Sequence, residues 1–203
     1  MTDLDETEYT AGNNNLLHSL FSQCSISLNG SQITQASEHC GFRAYLESLL
    51  TYGNDAAESH LRMAYWELDE GDFKAGDCSK PAELFNTSFC ARCNHVKKSQ
   101  EVQMYGRLHA DICNVPQLLI TGLKVLINLT KAKPELYFLS SKENGKVYFK
   151  ILEALSYVKR FRPTSSILTS HNEALLAGYP IRYNITRIEI KTYIFCWFTI
   201  TLH

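Results

Sequence analysis

The sequence predicts a mainly β protein, a jelly-roll β-sandwich with a few short helices. Three observations predict it. Cys24, Ile26 and Leu28 alternate with Ser25, Ser27 and Asn29, the period of a half-buried strand. Two Asn-Gly pairs, Asn29-Gly30 and Asn144-Gly145, are strong hairpin signals, because both central residues of such a turn take positive φ. Beyond residue 100, apolar residues recur at every second position in unevenly spaced runs. That pattern suits an antiparallel sandwich better than an α/β sheet.

The elements follow in order. Residues 1–15 read as a disordered segment: Asp3, Asp5, Glu6 and Glu8 crowd its start, and Gly12-Asn13-Asn14-Asn15 closes it. The strand at Cys24–Leu28 turns at Asn29-Gly30 onto a short return strand holding Ile33. Phe42, Tyr45, Leu46, Leu49 and Leu50 then fall on one helical stripe, which Gly53 and Asn54 interrupt. A second helix is expected over Ala56–Trp66, with Ala57, Leu61 and Ala64 on one face. Residues 67–100 read as a long irregular loop, and such loops are usually surface or interaction elements. Val102, Met104, Leu108, Ala110 and Ile112, with Gly106 in phase, predict a strand. Val125, Ile127 and Leu129 predict another. Leu136–Ser140 and Val147–Lys159 flank Glu143-Asn144-Gly145-Lys146 as a second hairpin. Thr164, Ser165 or Ser166 can cap a helix ending near Ala177, with Gly178 and Pro180 as stop signals. A last strand runs from Ile181 toward Phe195, with a bulge where its apolar phase slips between Ile185 and Ile188. The domain therefore spans 16–192, and 193–203 is an aberrant apolar tail.

Composition bounds the function. Of 203 residues, 45% are apolar, 20% charged and 11% aromatic, an ordinary globular balance. Net charge is −1, so no broad basic field argues for nucleic acid. The acidic start lacks the basic and apolar stretches of a secretory signal. No run reaches the ~18 apolar residues of a membrane span. The expectation is an intracellular protein with no membrane contact and no small-molecule substrate. Seven cysteines, an odd count without a signal peptide, then fit reduced thiols better than a disulfide framework.

Few residues invite chemistry. Cys78, Cys90, Cys93 and His95 are the one weak metal-ligand set: a Cys-x-x-Cys pair with two outliers that together make Cys3His. The spacing is loose, and free loop thiols explain it better. In Arg107-Leu108-His109-Ala110-Asp111, a histidine and an aspartate share one strand face, as a base and its carboxylate would. A plain polar face gives the same pattern, and no nucleophile is near. His171 is expected on the inner stripe of the third helix with Leu168 and Leu175. His18, His39, His60 and His203 have no partners at ligand spacing. Lys159-Arg160-Phe161-Arg162 is a dense basic cluster that can grip phosphate and stack a base, or simply guard a strand edge. No catalytic residue and no cofactor is predicted.

Four segments carry a family likeness. They are Leu17-His18-Ser19-Leu20-Phe21 with Ser25-Ile26-Ser27-Leu28-Asn29; Phe42-Arg43-Ala44-Tyr45-Leu46-Glu47-Ser48-Leu49-Leu50-Thr51-Tyr52-Gly53; Gly106-Arg107-Leu108-His109-Ala110-Asp111-Ile112; and Lys150-Ile151-Leu152-Glu153-Ala154 through Tyr179-Pro180-Ile181-Arg182. In these the chain resembles the double-jelly-roll major capsid proteins of Polinton/Maverick virus-like transposable elements. The resemblance implies the first half of a double jelly roll and a structural role. It also implies self-association as trimers, and a virion-like particle if the chain assembles. Family members are longer, so this chain reads as a truncated copy. The alternative is a domesticated β-sandwich binding module. It would use the cysteine-rich loop 78–95, with or without zinc, to hold a protein or nucleic acid. An enzyme is a distant third reading.

Overall fold

The computed structural model describes residues 9–34, 39–67, 69, 78, 86–140 and 147–191. The chain opens with β1 (Thr10–Gly12) and a single helical turn, α1 (Leu16–Ser19). Strand β2 (Phe21–Leu28) and strand β3 (Ser31–Gln32) form the first hairpin. Helices α2 (Cys40–Thr51) and α3 (Asn54–Ala57) follow, then α4 (Thr87–Val96), β4 (Val125–Lys131), β5 (Phe138–Ser140) and α5 (Ser165–Leu176).

The expected hairpin is present. Asn29 and Gly30 take φ of 47° and 86°, and β2 pairs antiparallel with β3 through Ser27↔Gln32 and Leu28↔Ser31. The predicted strand at Val125 pairs antiparallel with β2, from Leu28↔Val125 to Phe21↔Lys131, with an irregularity between Phe21 and Gln23. The three strands lie in the order β3-β2-β4, and β1 with β5 makes a separate two-stranded sheet. Among the described residues the pairing is antiparallel, as expected. The helical share is larger than expected: helical residues outnumber strand residues among those described.

A small core ties the sheets' ends together. Leu16, Leu20, Ala132 and Tyr137 are buried in one cluster, and Phe21, Tyr65, Met104, Phe138 and Phe149 pack on it. Ala132 N–H donates to the Leu20 carbonyl at 2.8 Å, locking the end of β4 against α1.

Several expectations are corrected. Thr10–Asn15 is ordered: Thr10, Ala11 and Asn15 are buried. The asparagines supply the reason, because they bond to two distant stretches, one at Tyr65–Glu67 and one at Tyr137. Asn13 N–H donates to Tyr137 O, Asn15 N–H donates to Tyr65 O, and Asn14 and Glu67 exchange two hydrogen bonds of 2.6 and 2.9 Å. Met1–Glu8 lies outside the described residues.

The expected helix over Ala56–Trp66 is split at Ser59, into α3 and a 3-10 turn at His60–Ala64. The 67–100 loop contains α4, whose first turn is capped by the Asn86 side chain accepting from Phe89 N–H at 3.0 Å. Residues 100–110 enter no ladder, and Asp111–Asn114 is a 3-10 turn. β5 pairs with β1 rather than with Val147–Lys159, and neither that segment nor 181–191 joins a ladder. Apolar alternation identifies a strand-like face but does not supply an open edge to pair with. The turn at Glu143–Lys146 and the tail at 193–203 fall outside the described residues.

Helix α5 forms where expected, and Gly178 at φ 80° ends it. No residue of α5 is buried, so His171 is exposed rather than inward-facing. Helix α2 is also turned from the face its pattern suggests. It buries Ala44 and Ser48, while Phe42, Leu46, Leu49 and Leu50 face outward. Among the described residues, no helix is long and apolar enough to cross a membrane.

Candidate functional site

Three of the four segments that carry the family likeness meet in space. They are α1, α2 and residues 106–111, and their polar side chains form one largely buried cluster. Asn15 starts it. Its left-handed backbone, φ 58°, is a conformation asparagine tolerates better than most residues. It turns the chain so that His18 points inward.

His18 lies with its Nδ1 2.6 Å from Asn15 Oδ1 and its Nε2 2.8 Å from the Arg107 carbonyl. Burial is the main influence on its pKa and lowers it from 6.5 to about 4. The Arg107 carbonyl and Glu47 pull the other way, and His109 adds to the lowering. The ring is therefore neutral at pH 7. A carbonyl can only accept, so Nε2 carries the proton and Nδ1 must accept. A carboxamide turned to present Nδ2 satisfies Nδ1. It also satisfies Asn15 Nδ2, which is otherwise buried without a partner.

The His109 ring meets His18 edge-on, with centroids 4.7 Å apart. Its Nδ1 is 3.1 Å from Glu47 Oε2, close enough for ionic contact but not aligned as a hydrogen bond. Burial lowers the pKa of His109, against the opposing pull of Glu47. Arg43, one turn before Glu47 on α2, reaches the same Oε2 at 3.7 Å through Nε. Its Nη2 bonds to Asp111 Oδ1. The series His18–His109–Glu47–Arg43–Asp111 thus crosses all three segments.

Glycine is needed where they touch. A Cβ on Gly106 would stand 2.7 Å from Leu17 Cδ2 and 3.1 Å from His18 Cε1. The likeness in the sequence therefore marks a clamp in the fold. His109 and Asp111 do act from one side, as their spacing predicts, although they lie on no strand. The partners Glu47, Arg43 and His18 were not legible, because nothing local in the sequence joins residues so far apart.

A second polar knot fixes α4. Arg92 is 2% exposed. Its Nε donates to Gly12 O at 3.1 Å, and its Nη1 and Nη2 donate to Asp69 Oδ1 at 3.1 and 3.2 Å. Asn86 Nδ2 donates to the same Oδ1 at 3.1 Å. A cleft of about 270 Å3 lies beside α3 and α4, lined by residues such as Glu58, Arg62, Glu67 and Ser88. None of the histidine cluster lines it.

The proposed ligand set does not assemble as a metal site. Cys78 and Cys90 are joined in a disulfide, which corrects the expectation of reduced thiols at this pair and removes two of the four ligands. Cys93 lies on the same helix, its thiol pushed up to about 12 chiefly by burial. The His95 ring packs edge-on against Tyr65, 5.0 Å between centroids. Among the described residues, no group of three or more histidine, cysteine, aspartate or glutamate side chains is placed to hold a metal ion. In the basic cluster, Lys159 Nζ sits 5.1 Å over the Phe161 ring, on an exposed stretch.

No protein-family model matches the chain, and no solved structure matches it. The uncharacterized protein F54H12.2 of Caenorhabditis elegans is 21% identical over 182 residues, which make up 89% of this chain and 40% of that protein. The chain thus spans well under two thirds of the relative's length.

Proposed function

We propose that this chain is a structural, capsid-derived protein of an integrated virus-like element, acting by self-association and not by catalysis. The observation that carries the reading is the apolar surface left open on residues 147–191. Leu152, Leu155, Tyr157, Val158, Phe161, Leu176 and Tyr179 are all more than half exposed. Helix α5 buries nothing. Single exposed apolar side chains are ordinary, but so many along one stretch of chain favour an interaction surface. The outward stripe of α2 adds Phe42 and Leu50. Among the described residues, strand β4 lies at a sheet edge with every residue exposed, and an open apolar edge invites another strand.

The histidine cluster supports the same reading from the other side. It joins segments to one another and lies away from the described cleft, as a structural clamp should. The long-range antiparallel pairing of β2 with β4 is of the kind a jelly roll is built from. By the family resemblance, the partner is a second and third copy of the chain, and the site of action is the cell interior or a virion-like particle.

Sedimentation velocity on the full chain tests the proposal. A concentration-dependent series passing through a trimer is expected. Leu155→Glu combined with Val158→Glu should shift it toward smaller species. A compact monomer at every concentration overturns the assembly reading.

A further inference from the structure

We propose that the Cys78–Cys90 disulfide is a reversible redox lock that holds helix α4 against β1, opened by a small-molecule thiol and closed by a small-molecule disulfide. The bond spans a sequence separation of 12. Cys90 lies within α4, and α4 packs on β1, whose three residues are all buried. The helix has little apolar grip there. Its buried residues are Ser88, Phe89 and Arg92, so Phe89 is the one large apolar side chain among them.

Two closures act on the stretch of chain from Asp69 to α4. The first is polar: Asp69 Oδ1 accepts from Asn86 and from Arg92, and Arg92 also reaches Gly12 O. The second is covalent and lies inside the first, from Cys78 to Cys90. A detached helix tied back at such a short separation has fewer conformations to visit than a free one, so the bond favours the docked state. Of the two closures, the covalent one answers to the redox state of the surroundings. A disulfide persists in an oxidising compartment and is opened by the thiol pool of a reducing one. That the lock is conditional rests on the intracellular reading above; the bond itself does not.

Glutathione serves as the probe in both directions. Its thiolate attacks one sulfur of the pair, the Cys78–Cys90 bond breaks, and a mixed disulfide forms. The other cysteine leaves as a thiolate and takes up a proton. A second glutathione thiolate attacks the glutathione sulfur of the mixed disulfide, and the second cysteine leaves in the same way. In sum, one protein disulfide and two thiols give two protein thiols and one oxidised glutathione, and closing is the reverse.

The surroundings suit this exchange. Cys78 and Cys90 are each only partly buried, which leaves the bond open to a small thiol. Cys93 follows Cys90 by one turn of the same helix and is the nearest competitor in sequence. Burial pushes its thiol up to about 12, so it stays protonated and is a poor nucleophile at pH 7.

Amide exchange of the full chain in oxidised or reduced glutathione tests the lock, at a dilution where the chain sediments as a monomer. Exchange across Thr87–Val96 and Thr10–Gly12 should be at least about tenfold faster in the reduced buffer, with β2 and β4 unchanged. Peptide mapping should find the Cys78–Cys90 link in the oxidised buffer and lose it in the reduced one without denaturant. The double variant Cys78→Ser with Cys90→Ser should exchange like the reduced chain in both buffers, while Cys93→Ser should still respond. Protection of β2 and β4 reports that each variant is folded. Equal exchange of α4 in the two buffers overturns the lock, and a bond that survives reduced glutathione in the native chain overturns its reversibility. A link from Cys78 or Cys90 to Cys93 overturns the pairing. Because the readout is taken on monomers, a failure of the chain to assemble leaves it unaffected.

Discussion

His18 is buried in the cluster, where burial favours the neutral ring, and this sets a pH dependence. The folded pKa, about 4, lies below the ordinary 6.5. Between these values the unfolded chain binds a proton that the folded chain does not, so stability rises with pH across the window. The contribution is complete above about pH 6.5 and is lost as pH falls toward 4. Fully lost, it amounts to about 3 kcal/mol. His109, lowered by burial in the same cluster, acts in the same direction. Urea unfolding at several pH values should show stability falling between pH 6.5 and 4. His18→Gln, which keeps an amide donor for the Arg107 carbonyl, should flatten that slope. A wild-type curve that is level through this range overturns the assignment. The sequence showed His18 and His109 but not their encounter. It also presented Gly12-Asn13-Asn14-Asn15 as a disordered tail. Asparagine and glycine mark both loose chain and tight backbone capture, and composition does not distinguish the two.

At the scale of elements, short-range signals survived and long-range ones did not. The Asn29-Gly30 hairpin, β2, β4 and α5 rest on turn chemistry, alternation and stop signals within a few residues, and all formed. Helix α4 was missed, although Asn86 is an ordinary N-cap, because the surrounding cysteines and polar residues give no apolar stripe. Its attachment is polar instead. Arg92 bridges α4 to the Gly12 carbonyl of β1 and to Asp69. Arg92→Met keeps the apolar stem and removes the guanidinium, taking the Arg92 donors from Gly12 O and Asp69 and leaving Asp69 the bond from Asn86 Nδ2. Because Asp69 is partly exposed, the expected cost is about 2 kcal/mol rather than that of a fully buried pair. Hydrogen exchange should localise the effect, with protection lost across Thr87–Val96 and β1 before β2 and β4 change. If protection falls evenly over the whole chain, the knot is not what anchors α4. The outward turn of α2 has a related cause. Its apolar stripe competed with the Arg43–Glu47 face, and the clamp to Asp111 and His109 took the inner position.

At the scale of the whole molecule, the described chain divides into a bonded body and a lightly attached arm. The body, 9–140, holds the core, both sheets and both polar knots. The arm, 147–191, touches it at a few points. Lys131 Nζ donates to Phe149 O at 2.8 Å, the Tyr105 and Tyr157 rings are 6.2 Å apart, and Tyr183 Oη accepts from Ile120 N–H at 3.2 Å. Helix α5 has twelve residues and buries none of them. A lone helix of that length is marginal in water, since helices in proteins draw most of their stability from a packed apolar face. Ile167, Leu168, Leu175 and Leu176 are such a face without a partner, with Leu176 89% exposed. The helix should therefore depend on association. Amide exchange across Ser165–Leu176 should be nearly unprotected at concentrations where the chain sediments as a monomer. Protection should then rise with concentration as larger species appear, while β2 and β4 stay protected throughout. If α5 is protected equally at all concentrations, it is stabilised within one chain and the arm is not the contact surface. If larger species form while α5 remains unprotected, association runs through another surface, and the outward stripe of α2 and the open edge of β4 are the ones left to carry it.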